Sequence, residues 1–293
     1  MGTEAHARQR RGRDKIAAQR VAARRTRSRR RILIASGSIG LVAVLGIAIA
    51  LVRPGAPRAS SAAGQDPSAA REVTSVPPGT FDVVGPGTAT APTPASGQTL
   101  LTSAGKPEVL YMGGEYCPFC AAERWALTAA LSRFGTFTGL SFIHSSPSDV
   151  YPGTPTLTFY KSGYTSRYVS FVPVEWYGEA DDASTPTGHA VLQTPTAAQS
   201  ATFAKYASNS FPFVDIGDKY ITGVQYNPAD LAGMSWSQVA AAMRNPSSTP
   251  ARDIDGAANL ITAGVCTLTH GQPGSVCSSA GVMSAARSLH AAR

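Results

Sequence analysis

Residues 32–52, ILIASGSIGLVAVLGIAIALV, run for 21 positions without a charge. At 1.5 Å per residue a helix of that length spans about 30 Å, the thickness of a bilayer's hydrocarbon core. A buried helix of a water-soluble domain would show a polar face, and this stretch offers only Ser36 and Ser38. It is read as a single transmembrane helix, and it divides the chain. Residues 1–31 hold 12 of the 26 Lys and Arg against two acids, Glu4 and Asp14. The remaining 262 residues carry 14 bases and 16 acids, so the formal net charge of +8 belongs to the tail alone. A basic flank on one side of an apolar span and a sparse one on the other place the N-terminus in the cytoplasm and the rest outside it. The tail is expected to set topology and to favour anionic lipid head groups; no nucleic-acid binding is expected.

The segment SRRRILI (28–34) has the look of a twin-arginine export signal, with small residues RASSAAG (58–64) where cleavage would fall. The long apolar run and the basic extension before it favour a retained anchor. In either case the chain beyond residue 52 is extracytoplasmic, a compartment that tolerates disulfides.

Residues 53–98 are rich in Pro, Gly, Ala, Ser and Thr. That composition buries little apolar surface, so they are read as an extended tether with one short strand at TFDVV (80–84). A single domain is expected over 99–293. Within it PEVLYMG (107–113) reads as a buried strand and 118–134 as a helix, opened by Pro118 and capped at Gly135, with Phe119, Ala122, Ala126 and Ala130 on one side. GLSFIHSS (139–146) reads as a second strand, and 154–177 as a hairpin turning at Ser162-Gly163. A helix is expected over 194–209, a hairpin over 211–223 turning at Gly217-Asp218, and helices near 235–244 and 253–266. No internal repeat is visible.

The chemistry-bearing stretch is GGEYCPFCAAERWAL (113–127). Cys117 and Cys120 stand with two residues between them where a strand gives way to a helix. A thiol-disulfide exchanger needs a nucleophilic thiolate and a second thiol that releases the mixed disulfide, and this spacing at a helix start lets the two sulfurs meet. Cys117 at the N-cap would gain from the helix dipole and free N–H groups, and Cys120, one turn in, would resolve. Two plainer readings compete. A fixed crosslink is disfavoured because the loop is very tight, and a metal site lacks further ligands at a suitable spacing. No metal or cofactor is expected. Cys266 and Cys277 flank the turn-rich TLTHGQPGSV and read as a structural disulfide; the sharper alternative is a shuttle pair serving Cys117 and Cys120.

The order strand, CxxC, helix, strand, helix, proline-led hairpin, helix resembles thioredoxin-like oxidoreductases. Residues 107–134 are similar to their active-site unit, and FAKYASNSFPFVDIGDKYITG to the stretch in which a helix leads to a cis-proline and a hairpin. The span 99–280 further resembles the membrane-anchored domain-of-unknown-function family nine-two-nine, whose members carry YCPFC, a similar TPT hairpin and a C-terminal cysteine pair. The resemblance implies an α/β, thioredoxin-like fold with an inserted β-hairpin and a C-terminal helical extension, preceded by the transmembrane helix. It implies a cis bond at Pro212 and substrate-backbone binding by Phe211 and Pro212. The chain departs from thioredoxin in two places: Tyr111 stands where a buried acid is usual, and Tyr116 where a tryptophan is. Loss of that acid moves the expected Cys117 pKa toward the oxidant end of the range. Glu115 is the nearest substitute proton acceptor, although a solvated loop acid is its plainer reading. His144, at the end of the second strand, is read as a satisfied or exposed histidine rather than a site residue, and the aromatic residues between Tyr151 and Tyr177 as packing rather than a substrate apron.

The function expected is a membrane-anchored extracytoplasmic thiol-disulfide oxidoreductase. Its expected partners are secreted or cell-envelope protein thiols and disulfides, with a membrane redox partner. The alternative is a non-catalytic thioredoxin-like scaffold with a fixed CPFC disulfide.

Overall fold

The structure, a computed structural model, describes residues 64–95, 99–207 and 210–291. Proline opens helices at the start of this region. Helix α1 (Pro67–Thr74) begins on Pro67, with Asp66 capping it by accepting from the Ala69 N–H at 3.0 Å. Helix α2 (Pro78–Val84) begins on Pro78 in the same way. Proline suits a first turn because its missing N–H would have no helical partner there. Ala69, Val73 and Phe81 are buried in the main core. Residues 64–95 are therefore part of the folded body, not tether, and TFDVV is helical rather than a strand. The composition reading counted Pro and Gly and overlooked the Ala69-Val73 spacing, one helical turn. The basic tail and the apolar run 32–52 lie outside the described residues. Among the described residues no helix is long and apolar enough to cross a membrane.

The chain then enters a mixed α/β arrangement. Two short strands, β1 (Thr93–Pro94) and β2 (Thr102–Ser103), precede β3 (Lys106–Gly114). Val109 to Met112 are all buried, so β3 is covered on both faces and reads as a continuous apolar run. Helix α3 (Pro118–Leu131) follows, buried at every residue from Cys120 to Leu131. Next come β4 (Gly135–Thr138), β5 (Ser141–His144), β6 (Pro155–Thr158) and β7 (Gly163–Ser166), then the long β8 (Ser170–Asp181) and β9 (His189–Val191). Helix α4 (Ala197–Ala207) leads to β10 (Phe213–Ile216) and β11 (Tyr220–Thr222).

The main sheet runs β1-β11-β10-β3-β8-β9, with β2 also paired to β3. Strands β3 and β8 are parallel, and β10 is antiparallel to both β3 and β11. The strand expected within 139–146 is present as β5, which pairs with β6 in a ribbon of its own. Residues 154–177 are not one hairpin, because β7 pairs with β4 in a second ribbon and β8 supplies the parallel neighbour of β3. Residues 135–166 thus form two ribbons, with β4 and β7 pairing around the consecutive strands β5 and β6. Gly135 does not cap α3; Ser132 does, and Gly135 starts β4. The hairpin at Gly217-Asp218 is present, both residues having positive φ.

After a 3-10 turn (Pro228–Leu231), α5 (Trp236–Ala242) starts with a capping box between Ser235 and Gln238. A π-helical turn (Ala251–Asp255) runs into α6 (Gly256–Leu268), followed by α7 (Gly274–Cys277) and α8 (Ala280–Ala291). The buried Asn259 of α6 donates to the carbonyls of Phe81 at 2.8 Å and Gly85 at 2.7 Å, tying α2 to the C-terminal helices. Gly281 touches the same segment: a Cβ there would lie 2.2 Å from the Phe81 carbonyl oxygen. Cys266 and Cys277 form the expected disulfide, with Cα atoms 5.6 Å apart.

Candidate functional site

Cys117 and Cys120 are free thiols at the end of β3. Cys117 is the N-cap of α3, and its Sγ accepts from the Cys120 N–H at 3.4 Å. Pro118 occupies the first helical position, which leaves the Cys120 amide as the donor aimed at the cap. Cys117 is 6% exposed and Cys120 fully buried. Burial pushes the Cys117 thiol up, but hydrogen bonds from the Cys120 thiol and N–H outweigh it, and the net shift is down. For Cys120 burial dominates, its thiol is spent as a donor to Cys117, and its pKa is held well above the ordinary value. Two cysteines three residues apart are thus made unequal, with the more accessible one the better thiolate.

The floor of the site is polar. Tyr111 is fully buried, its hydroxyl has no hydrogen-bond partner, and burial keeps it a neutral phenol. Gly113 has to be glycine: a Cβ would stand 2.1 Å from the Tyr111 hydroxyl and 3.2 Å from Cys120 Sγ. The Gly114 N–H approaches Cys120 Sγ at 3.5 Å. Below lies a fully buried ion pair that sequence reasoning missed. Arg124 donates through Nε to Glu175 Oε1 at 2.8 Å and through Nη2 to Oε2 at 2.7 Å, and Nη2 also donates to the Gly114 carbonyl at 2.8 Å. The signal in the sequence was an arginine four residues after Cys120 in a helix otherwise rich in alanine.

The rim carries further groups. Glu115, expected to be a solvated loop acid, is instead held by the Thr158 hydroxyl, which donates to it at 2.6 Å, and burial raises its pKa. Glu179 is raised to about 7 by burial and then by the nearby Glu115 carboxylate. Tyr116 stacks on His189 with ring centroids 4.0 Å apart. His144 packs on Trp236 at 4.9 Å, half-buried and with its Nδ1 lacking a hydrogen-bond partner, so it is neither the satisfied nor the exposed histidine expected. Most of the aromatic residues do pack: Phe159, Phe171 and Tyr164 interlock with Phe137. Trp176 and Tyr177 instead contact Phe211, at 6.0 and 6.1 Å.

The Phe211-Pro212 bond is cis, and so is Gln272-Pro273, which had not been foreseen. Phe213 pairs with Met112, so Pro212 lies level with Gly113, at the end of β3 from which α3 departs. The structure thereby brings Phe211, Pro212, Cys117 and Cys120 to one end of the sheet. Cys266 and Cys277 are not there. Leu268, two residues beyond Cys266, packs on Gly217, at the opposite end of β10. That position favours a structural bond over a shuttle. Among the described residues no group of three His, Cys, Asp or Glu is placed to hold a metal ion.

No curated protein and no solved structure matches the chain. Residues 95–209, which carry β3, the cysteine pair, both ribbons and the partner strand β8, match the model of a family described as a domain of unknown function, DUF929.

Proposed function

We propose that the chain is a thiol-disulfide oxidoreductase of thioredoxin-like architecture. The observation that carries this is the inequality of the two thiols: Cys117 at a helix N-cap with its pKa lowered, Cys120 enclosed beneath it with its pKa raised. Such a pair attacks with one sulfur and resolves with the other. The strand order β11-β10-β3-β8, with only β3 and β8 parallel, and a proline level with Gly113 support the architecture. Phe211 and Pro212 are assigned to the substrate backbone, Cys117 to attack and Cys120 to resolution. The apolar run 32–52 anchors the domain on the extracytoplasmic side of a membrane, where secreted and envelope protein thiols are the substrates and a membrane redox protein exchanges electrons with it.

Insulin reduction and refolding of reduced ribonuclease test the reading. Cys117→Ser abolishes turnover. Cys120→Ser loses turnover and accumulates mixed disulfides, since no thiol remains to release them. One observation favours the second reading, a scaffold with a fixed disulfide: both cysteines are nearly or fully buried. Wild-type protein without turnover in either assay decides for the scaffold.

A further inference from the structure

In thiol-disulfide exchange the second cysteine must carry negative charge at a moment when it is enclosed. In the reducing direction the Cys117 thiolate attacks one sulfur of a protein disulfide. The Cys117–substrate S–S bond forms, the substrate S–S bond breaks, and the departing sulfur takes up a proton. Cys120 then gives its proton to water, and its thiolate attacks Cys117 Sγ. The Cys117–Cys120 bond forms, and the second substrate sulfur leaves with the electron pair of the broken bond. Two electrons pass from the cysteines to the substrate. Run backwards, Cys120 is the thiolate leaving group. A bare thiolate at a fully buried position is costly unless a charge or donor faces it.

The residues around Cys120 offer no carboxylate in the usual place. Tyr111 is neutral there, and Gly113 leaves room only for the Tyr111 hydroxyl and Cys120 Sγ side by side. What the floor does offer is Arg124. It lies four residues along α3 from Cys120 and so on the same side of the helix. Its Nη2 grips the Gly114 carbonyl at 2.8 Å, while the Gly114 N–H points at Cys120 Sγ at 3.5 Å. Its Cζ lies 5.9 Å from the centre of the Tyr111 ring, and Nη1 is buried without a partner. Glu175 holds the guanidinium from below with both oxygens.

We infer that Arg124 is a positioning residue for the cysteine pair: anchored by Glu175, it fixes the Gly114 amide against Cys120 and supplies the buried positive charge that lets Cys120 exist as a thiolate. The charge of Arg124 also favours the thiolate of Cys117. The inference rests on Cys117 and Cys120 being a redox pair. Its direct consequence is a more oxidising disulfide, because a stabilised thiolate favours the reduced form.

Two substitutions of opposite sign test it in the full chain. The double variant Arg124→Met with Glu175→Met replaces the ion pair by apolar side chains, an exchange that folded proteins often accept without loss of stability. Its dithiol loses support, and the equilibrium constant with glutathione moves about tenfold toward the disulfide, about 30 mV more reducing. The variant Glu175→Gln leaves the arginine without its counter-charge and moves the constant the other way. The redox state is read by mass on the peptide carrying Cys117 and Cys120 after alkylation, with near-UV circular dichroism confirming the fold. Shifts of opposite sign support the inference. Folded variants whose constants stay within about twofold of wild type, or shift in one common direction, overturn it. If the wild-type pair does not exchange with glutathione at all, the redox reading falls and the inference with it. A pair that equilibrates but turns over no protein disulfide sinks the proposed function, and the two shifts still decide the role of Arg124.

Discussion

Burial raises several carboxyl groups among the described residues, and Asp255, Asp215 and Glu179 are three that keep their protons toward neutral pH. Asp255 is raised to about 8 by burial, against the opposing charge of Arg133, and neither of its oxygens has a hydrogen-bond partner. Asp215 is raised to about 7 by burial, although the Asp218 N–H donates to it at 2.6 Å. Glu179 is raised to about 7 as well. Each binds its proton more tightly folded than unfolded, where such groups titrate near about 4. The stabilisation they give is complete below that value and is lost as pH rises through the folded values. Thermal stability should therefore fall between about pH 4 and about pH 8, where acid-paired proteins gain it. Melting temperatures across this range check the sign, and Asp255→Asn should flatten the upper end. A curve that rises to pH 8 in both proteins would mean that these groups are ionised in the fold.

At the scale of elements, α1 and α2 form where composition alone reads linker. Phe81 is 2% exposed and sits in the main core. Phe81→Ala should lower the unfolding free energy by about 3–5 kcal/mol, as large-to-small core changes do. A urea midpoint that does not move would return residues 64–95 to the tether. Elements with local signals were legible in sequence: β3 from its unbroken apolar run, the start of α3 from Pro118, the last hairpin from Gly217-Asp218. The ribbons β4-β7 and β5-β6 were not: β4 meets β7 across two other strands, and β5 meets β6 across a ten-residue loop rather than a tight turn. The same divide runs through the site. Cys117 and Cys120 announce themselves by spacing. Arg124 and Glu175 stand 51 residues apart on a helix and a strand, and only the parallel pairing of β3 with β8 brings them together.

For the whole molecule, the charge asymmetry around 32–52 predicts an orientation. A protease that cannot cross membranes, added to intact spheroplasts, should digest the C-terminal domain and spare the basic tail. Protection of the domain until lysis would reverse the assigned topology. Cys117 is mounted on α3, which is packed on all sides from Cys120 to Leu131, among the positions least able to shift without opening the core. A reactive group on an immovable support cannot reach into a partner. The partner must do the yielding, by exposing its disulfide or thiols on a segment free to lie along the end of the sheet. On the proposed role, this domain should work on chains still folding or locally frayed, at a rate set by how often the partner opens, and should pass over cystines locked inside finished proteins.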